Sequence, residues 1–220
     1  MPTPRINNSE QGAPYFITIT VIEWLNIFTN KEYFDCIING LKYCQKNLGL
    51  LLYEYAIMTN HIHLIVQAKE GYELSKIIGS FKRHTTREII KLLKQDQRKH
   101  ILVLLRGGIY NPNYQGGVQG LSPEPTYKNG VGSGFDVRTL KQKQYQRFTL
   151  QNYKGSIWQH SNYPELIESD KFLQQKVSYI HNNPVVKGYV DEPQNYIYSS
   201  ARNRYLGDNT IIILDDLIYE

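Results

Sequence analysis

Cysteine is scarce in this chain. Cys36 and Cys44 are the only two among 220 residues. They fall in one predicted helix, eight positions and therefore about 12 Å apart along it, which excludes an intrahelical disulfide. A reducing, cytoplasmic setting fits, and neither thiol looks catalytic. Long apolar runs are missing too. No stretch approaches the roughly eighteen apolar residues of a membrane helix, so no membrane partner is expected. Residues 1–12 are polar and lack the apolar centre of a signal peptide, so they read as a flexible arm. There is no internal repeat.

Hydrophobic residues make up 41% of the chain, enough for a sizeable core, and the net charge is +5. With a pI near 9.0, that balance weakly favours a polyanionic partner. Tyrosine is abundant at 18 residues, so tyrosine content cannot single out a nucleophile; position must.

The hydrophobic periodicity predicts an alternating strand over Pro14 to Ile22 and a helix from Lys31 to about Asn47, capped by Thr29-Asn30. Strands follow over Leu51 to Met58 and His61 to Gln67, joined by a tight Thr59-Asn60 turn. A long helix spans Tyr72 to about Gln97, with a possible break at Gly79. Ile101 to Leu105 reads as a short strand or an edge, and Phe148 to Leu150 as another short strand. Glycines and prolines crowd residues 106–135, the mark of an exposed insertion. A last helix, capped by Ser169 or Asp170, is expected to run to about Asn183, where Pro184 ends or redirects it. Ile211 to Ile218 is an apolar patch suited to covering a sheet edge or a partner chain. The order strand–helix–strand–strand–helix–(strand)–helix predicts an α/β (α+β) ferredoxin-like sandwich with an antiparallel sheet and packed helices.

Asn60-His61-Ile62-His63-Leu64-Ile65 carries the chemistry. Period-2 geometry puts His61 and His63 on one strand face, at a turn. Two neutral imidazoles can hold Mg²⁺ or Mn²⁺ while leaving its charge largely uncompensated, able to polarise a phosphate. Their outer nitrogens need acceptors that the sequence does not identify. Tyr179 and Asn183 are i,i+4 on the last helix and share a face. Asn183 can offer an amide oxygen to the metal, and Tyr179 can attack phosphorus, given help with a phenol pKa near ~10. Alone, each signal is weak: a His–apolar–His strand arises by chance, and a helical tyrosine usually packs. His181 lies on another helical face and reads as structural or surface. Lys82, Arg83, Arg87 and Lys91, then Arg138, Lys141 and Lys143, form two basic runs suited to a DNA backbone. Trp158, Gln159 and His160 are further DNA-contact candidates.

Three blocks together resemble the IS200/IS605-like (Y1, HUH) single-strand transposases, in the branch associated with repetitive extragenic palindromes. They are Tyr55-Ala56-Ile57-Met58-Thr59-Asn60-His61-Ile62-His63-Leu64-Ile65, Ile157-Trp158-Gln159, and Val177-Ser178-Tyr179-Ile180-His181-Asn182-Asn183-Pro184 with its continuation to Val190. The resemblance implies a single domain over 13–205 with an insertion at about 106–135 and a tail over 206–220. It implies metal binding by His61, His63 and Asn183 with Mg²⁺ or Mn²⁺, and Tyr179 as the nucleophile. It also implies cleavage and rejoining of hairpin-bearing single-stranded DNA through a 5′-phosphotyrosine, by a monomer or homodimer. One departure stands out. Relatives commonly carry an arginine and then an aromatic-Asp-His pattern where this chain reads His160-Ser161-Asn162-Tyr163. That difference motivates an alternative, a domesticated and catalytically weak binder of structured single-stranded DNA.

Overall fold

A computed structural model describes residue 6, residues 12–105 and residues 155–216. The 106–135 insertion, the strand expected near Phe148, and Arg138, Lys141 and Lys143 lie outside the described residues. Four antiparallel strands form one sheet in the order β2-β3-β1-β4: β1 (Tyr15–Thr20), β2 (Leu50–Ile57), β3 (His61–Ala68) and β4 (Glu165–Leu166). Helices α1 (Lys31–Asn47), α2 (Leu74–Gln95) and α3 (Lys99–Leu104) follow the early strands; α4 (Asp170–Val186) and α5 (Ala201–Leu206) come late. This is the ferredoxin-like α+β arrangement.

Alternation in the strands divides the core. Ile17, Ile19, Ile62, Leu64 and Val66 join Phe34, Ile37, Leu41, Ile77, Phe81 and Ile89 of α1 and α2. Phe16, Tyr53, Ala56 and Ile65 face the other way and pack with Leu173 and Ile180 of α4. The face that carries His61 and His63 is therefore roofed by α4 rather than open to water. α1 starts where Asn30 accepts the Tyr33 N–H, and α4 where Ser169 accepts the Phe172 N–H. α2 runs through Gly79 unbroken.

Two expectations need correction. Ile101 to Leu105 is not a strand: it lies largely within α3, whose Ile101 and Leu102 bury into the main core. Pro184 does not end its helix. α4 continues to Val186, and Gly188, at φ 70°, closes it with its N–H on the Val185 carbonyl. The fourth strand is only two residues long, too short for any alternation to announce. Its ladder is extended irregularly, because Thr18 N–H donates to Asn162, Ile22 N–H to Ile157 and Gln159 N–H to Thr20.

The tail covers an edge of the sheet. β2 is an outer strand, and its Leu52 N–H donates to the Asp215 carboxylate while the Leu52 carbonyl accepts the Asp215 N–H. Further along, Ile57 N–H donates to Tyr198, and Ser200 and Tyr55 exchange bonds. An otherwise unpaired edge is thereby satisfied. Among the described residues no helix is long and apolar enough to cross a membrane.

Candidate active site

The Thr59-Asn60 turn delivers His61 and His63 to the start of β3, with ring centroids 4.7 Å apart. Both are buried, at 6% and 3% exposure. The acceptors missing from the sequence reading are local. His61 Nδ1 lies 2.6 Å from Asn60 Oδ1, and His63 Nδ1 lies 2.9 Å from Oγ1 of Thr18, its cross-strand neighbour on β1. An amide oxygen only accepts, so the His61 proton sits on Nδ1 and its Nε2 keeps a lone pair. Thr18 can hold His63 in the same tautomer. Burial, then the Lys187 charge, pushes the His61 imidazole down to about 4. Burial, then His61 and Lys176, pushes His63 down to about 3. Both rings are neutral at pH 7, the state a metal ligand requires.

α4 supplies the rest. Its Asn183 amide nitrogen lies 3.2 Å from His63 Nε2, and the buried Asn183 Oδ1 finds no partner among the described residues. Amide oxygen and nitrogen are interchangeable by a flip. Turned over, the unpartnered oxygen would face the same nitrogen. Two imidazole nitrogens and one amide oxygen can thus converge, and this donor set fits a hard divalent cation that keeps water or phosphate as its other ligands. Among the described residues no group of three or more His, Cys, Asp or Glu side chains could hold a metal. A trio containing an asparagine lies outside that pattern.

Tyr179 sits one turn before Asn183. Its ring is half exposed and meets His63 edge-on at 5.0 Å, and Phe16 at 5.9 Å. Phe16 stacks on His63 at 5.7 Å, and Lys176 Nζ lies 4.4 Å over the Phe16 ring. Sequence reasoning passed over Phe16, Thr18 and Lys176. Strand alternation could have placed Phe16 on the histidine face, but only tertiary pairing brings it beside His63.

His181 turns away from this cluster into a buried polar network. Its Nε2 lies 2.9 Å from Glu54 Oε2, and Ser200 and Arg204 donate to the same carboxylate. A bulge between Leu52 and Glu54 sets the Glu54 side chain on the α4 side. Burial alone would raise the Glu54 carboxyl, yet hydrogen bonds from His181 and Ser200 and the nearby charges hold it below its ordinary range. α4, which carries Tyr179 and Asn183, is pinned to the sheet by this network.

The DNA-contact candidates are dispersed. Trp158 is 2% exposed, and its indole N–H donates to Thr85 Oγ1. It is a core side chain with no face to offer a nucleotide, which corrects that expectation. Lys82 donates to the Gln159 and His160 carbonyls, and burial pushes its ammonium down to about 8. Gln159 is half-buried, its side chain turned to the Val21 carbonyl, and His160 is exposed. Arg83 and Arg87 line a groove with Tyr43 and His84, and Lys91 pairs with Glu88. These three lie on α2, which packs on the sheet face opposite the imidazoles.

The family described as "Transposase IS200 like" matches residues 15–128. A solved structure of a REP-associated tyrosine transposase bound to a REP hairpin shares the fold, with a TM-score of 0.56 at 14% identity, over 100% of this chain and 95% of that one. A crystal structure of a proposed transposase from Deinococcus radiodurans R1 aligns with a TM-score of 0.40 at 13% identity, over 81% of this chain and 96% of that one. No curated protein matches. The matched segment takes in β1 through α2 and both histidines, more than half the length, and the chain belongs to the IS200-like transposase family.

Proposed function

We propose that this protein is a divalent-metal-dependent transposase that cleaves and rejoins hairpin-bearing single-stranded DNA through a tyrosine–DNA link. One observation carries the reading: Tyr179 stands half-exposed beside buried His63, which adjoins buried His61, with the unpartnered Asn183 oxygen at the same place. His61, His63 and Asn183 would hold Mg²⁺ or Mn²⁺. When bound, such a cation supplies Lewis-acid polarisation of the scissile phosphate. Asn60 and Thr18 fix the ring tautomers, and the Glu54–His181 contact holds α4 over the sheet. Tyr179 Oη forms a bond to phosphorus as the bond to the 3′ oxygen breaks. The phenolic proton ends on that oxygen, leaving a 5′-phosphotyrosine and a 3′-hydroxyl. Reversal by another 3′-hydroxyl joins a new strand, so no ATP is consumed. The solved relative's REP hairpin and the +5 net charge support a folded single strand as substrate. Lys82, Arg83, Arg87, Lys91, Arg138, Lys141, Lys143, Gln159 and His160 remain the proposed backbone contacts.

The test is covalent capture of labelled hairpin-containing single-stranded DNA with Mn²⁺, comparing wild type with Tyr179→Phe. A metal-dependent adduct seen only in wild type supports the reading. Equal adduct in the variant refutes Tyr179 as nucleophile. Tight binding without adduct, with metal occupancy confirmed, assigns the chain instead as a catalytically weak binder.

A further inference from the structure

Just past β1 the chain does something costly. Glu23 and Trp24 both adopt φ 54°, in the left-handed region that side-chain-bearing residues enter uncommonly. Trp24 is then left 57% exposed, although an indole gains most by burial. The arrangement is held on purpose-built contacts. Asn60 donates its amide N–H to the Trp24 carbonyl at 3.1 Å, while its oxygen accepts a hydrogen bond from His61 Nδ1–H. The same side chain therefore sets both the indole's backbone and a histidine of the site. Trp24, His61, His63 and Tyr179 form a row with successive ring centroids 5.5, 4.7 and 5.0 Å apart. The two inner rings are buried and the two outer ones exposed.

We propose that Trp24 is a stacking platform for one unpaired nucleobase of single-stranded DNA, flanking the phosphate on the side of the imidazoles away from Tyr179. The proposal rests on the reading of the site given above for its choice of ligand. A strand whose phosphate lies at the imidazoles and Tyr179 must pass one end of this row. There the exposed indole offers a π-face, which every base can stack on irrespective of sequence. Strained backbone kept beside reacting groups is where such positioning is found.

Trp158 is the only other tryptophan, so a DNA-induced change in emission that disappears in Trp24→Phe reports on Trp24. The full chain would be titrated with a DNA hairpin bearing a single-stranded extension, then with versions carrying an abasic nucleotide at each unpaired position in turn. Quenching should saturate with the single-stranded extension and not with blunt duplex. Trp24→Ala should weaken binding about 5- to 150-fold, and Trp24→Phe less. One abasic position should cost wild type the same factor and cost Trp24→Ala nothing further. Unchanged emission with every single strand overturns the proposal, as does wild-type affinity in Trp24→Ala. Covalent capture run alongside separates the two readings. Adduct formation with no role for Trp24 in binding sinks the platform alone. Quenching with the matched abasic loss but no adduct keeps the platform and sinks strand transfer.

Discussion

Acidification should unfold the metal-free protein through its two buried histidines. In the folded state burial holds His61 near 4 and His63 near 3, against an ordinary value of 6.5. Unfolding releases both rings to water, where they bind protons below pH 6.5. The unfolded state then carries more protons, so stability rises with pH and is lost as pH falls from 6.5 towards 4 and 3. Near pH 5 nearly two extra protons are bound on unfolding, a slope of roughly 2–3 kcal/mol per pH unit from this pair. Against a typical total of about 5–15 kcal/mol, two units of acidification would remove much of the stability. Urea unfolding in EDTA from pH 8 to pH 4.5 measures this. A His61→Gln/His63→Gln variant supplies the baseline, since its remaining pH dependence belongs to other groups. Parallel curves for the two proteins would refute the claim that the imidazoles are buried and neutral.

Excess Mn²⁺ at pH 7.5 should stabilise wild type, by about 2.7 kcal/mol at a hundredfold excess over Kd, and leave His61→Gln/His63→Gln unmoved in thermal melts. An equal shift in both would place the metal elsewhere. His181→Ala removes one of three hydrogen-bond partners of the buried Glu54 carboxylate and should cost about 1–3 kcal/mol in urea unfolding; a cost below about 0.5 kcal/mol, on the order of an ordinary surface substitution, would mean the network does not pin α4. Trp158→Ala should cost about 3–5 kcal/mol as a core truncation while DNA affinity per folded molecule stays put. A selective loss of affinity with intact stability would restore Trp158 as a DNA contact.

The elements with strong periodicity were legible in the chain. α1 begins at Lys31 and ends at Asn47 as its apolar spacing and cap predict, because those signals are local. β4 was not legible, since a two-residue strand has no pattern of its own and exists only where β1 offers an edge. Lys82, in a basic run on a helix, and Trp158, in one of the matched blocks, read as nucleic-acid contacts, yet one donates to backbone carbonyls and the other fills the core. Residue type cannot tell an exposed cation or ring from a buried one.

Backbone periodicity is enough to put His61 and His63 on one strand face and Tyr179 and Asn183 on one helix face. That the two faces meet is settled by how α4 packs on the sheet. Asn183 reaches His63 from 120 residues away, and Thr18 reaches it from 45. The burial that keeps the imidazoles neutral is likewise made by α4 closing over the sheet. Contacts at that separation depend on packing between elements, which no local pattern encodes.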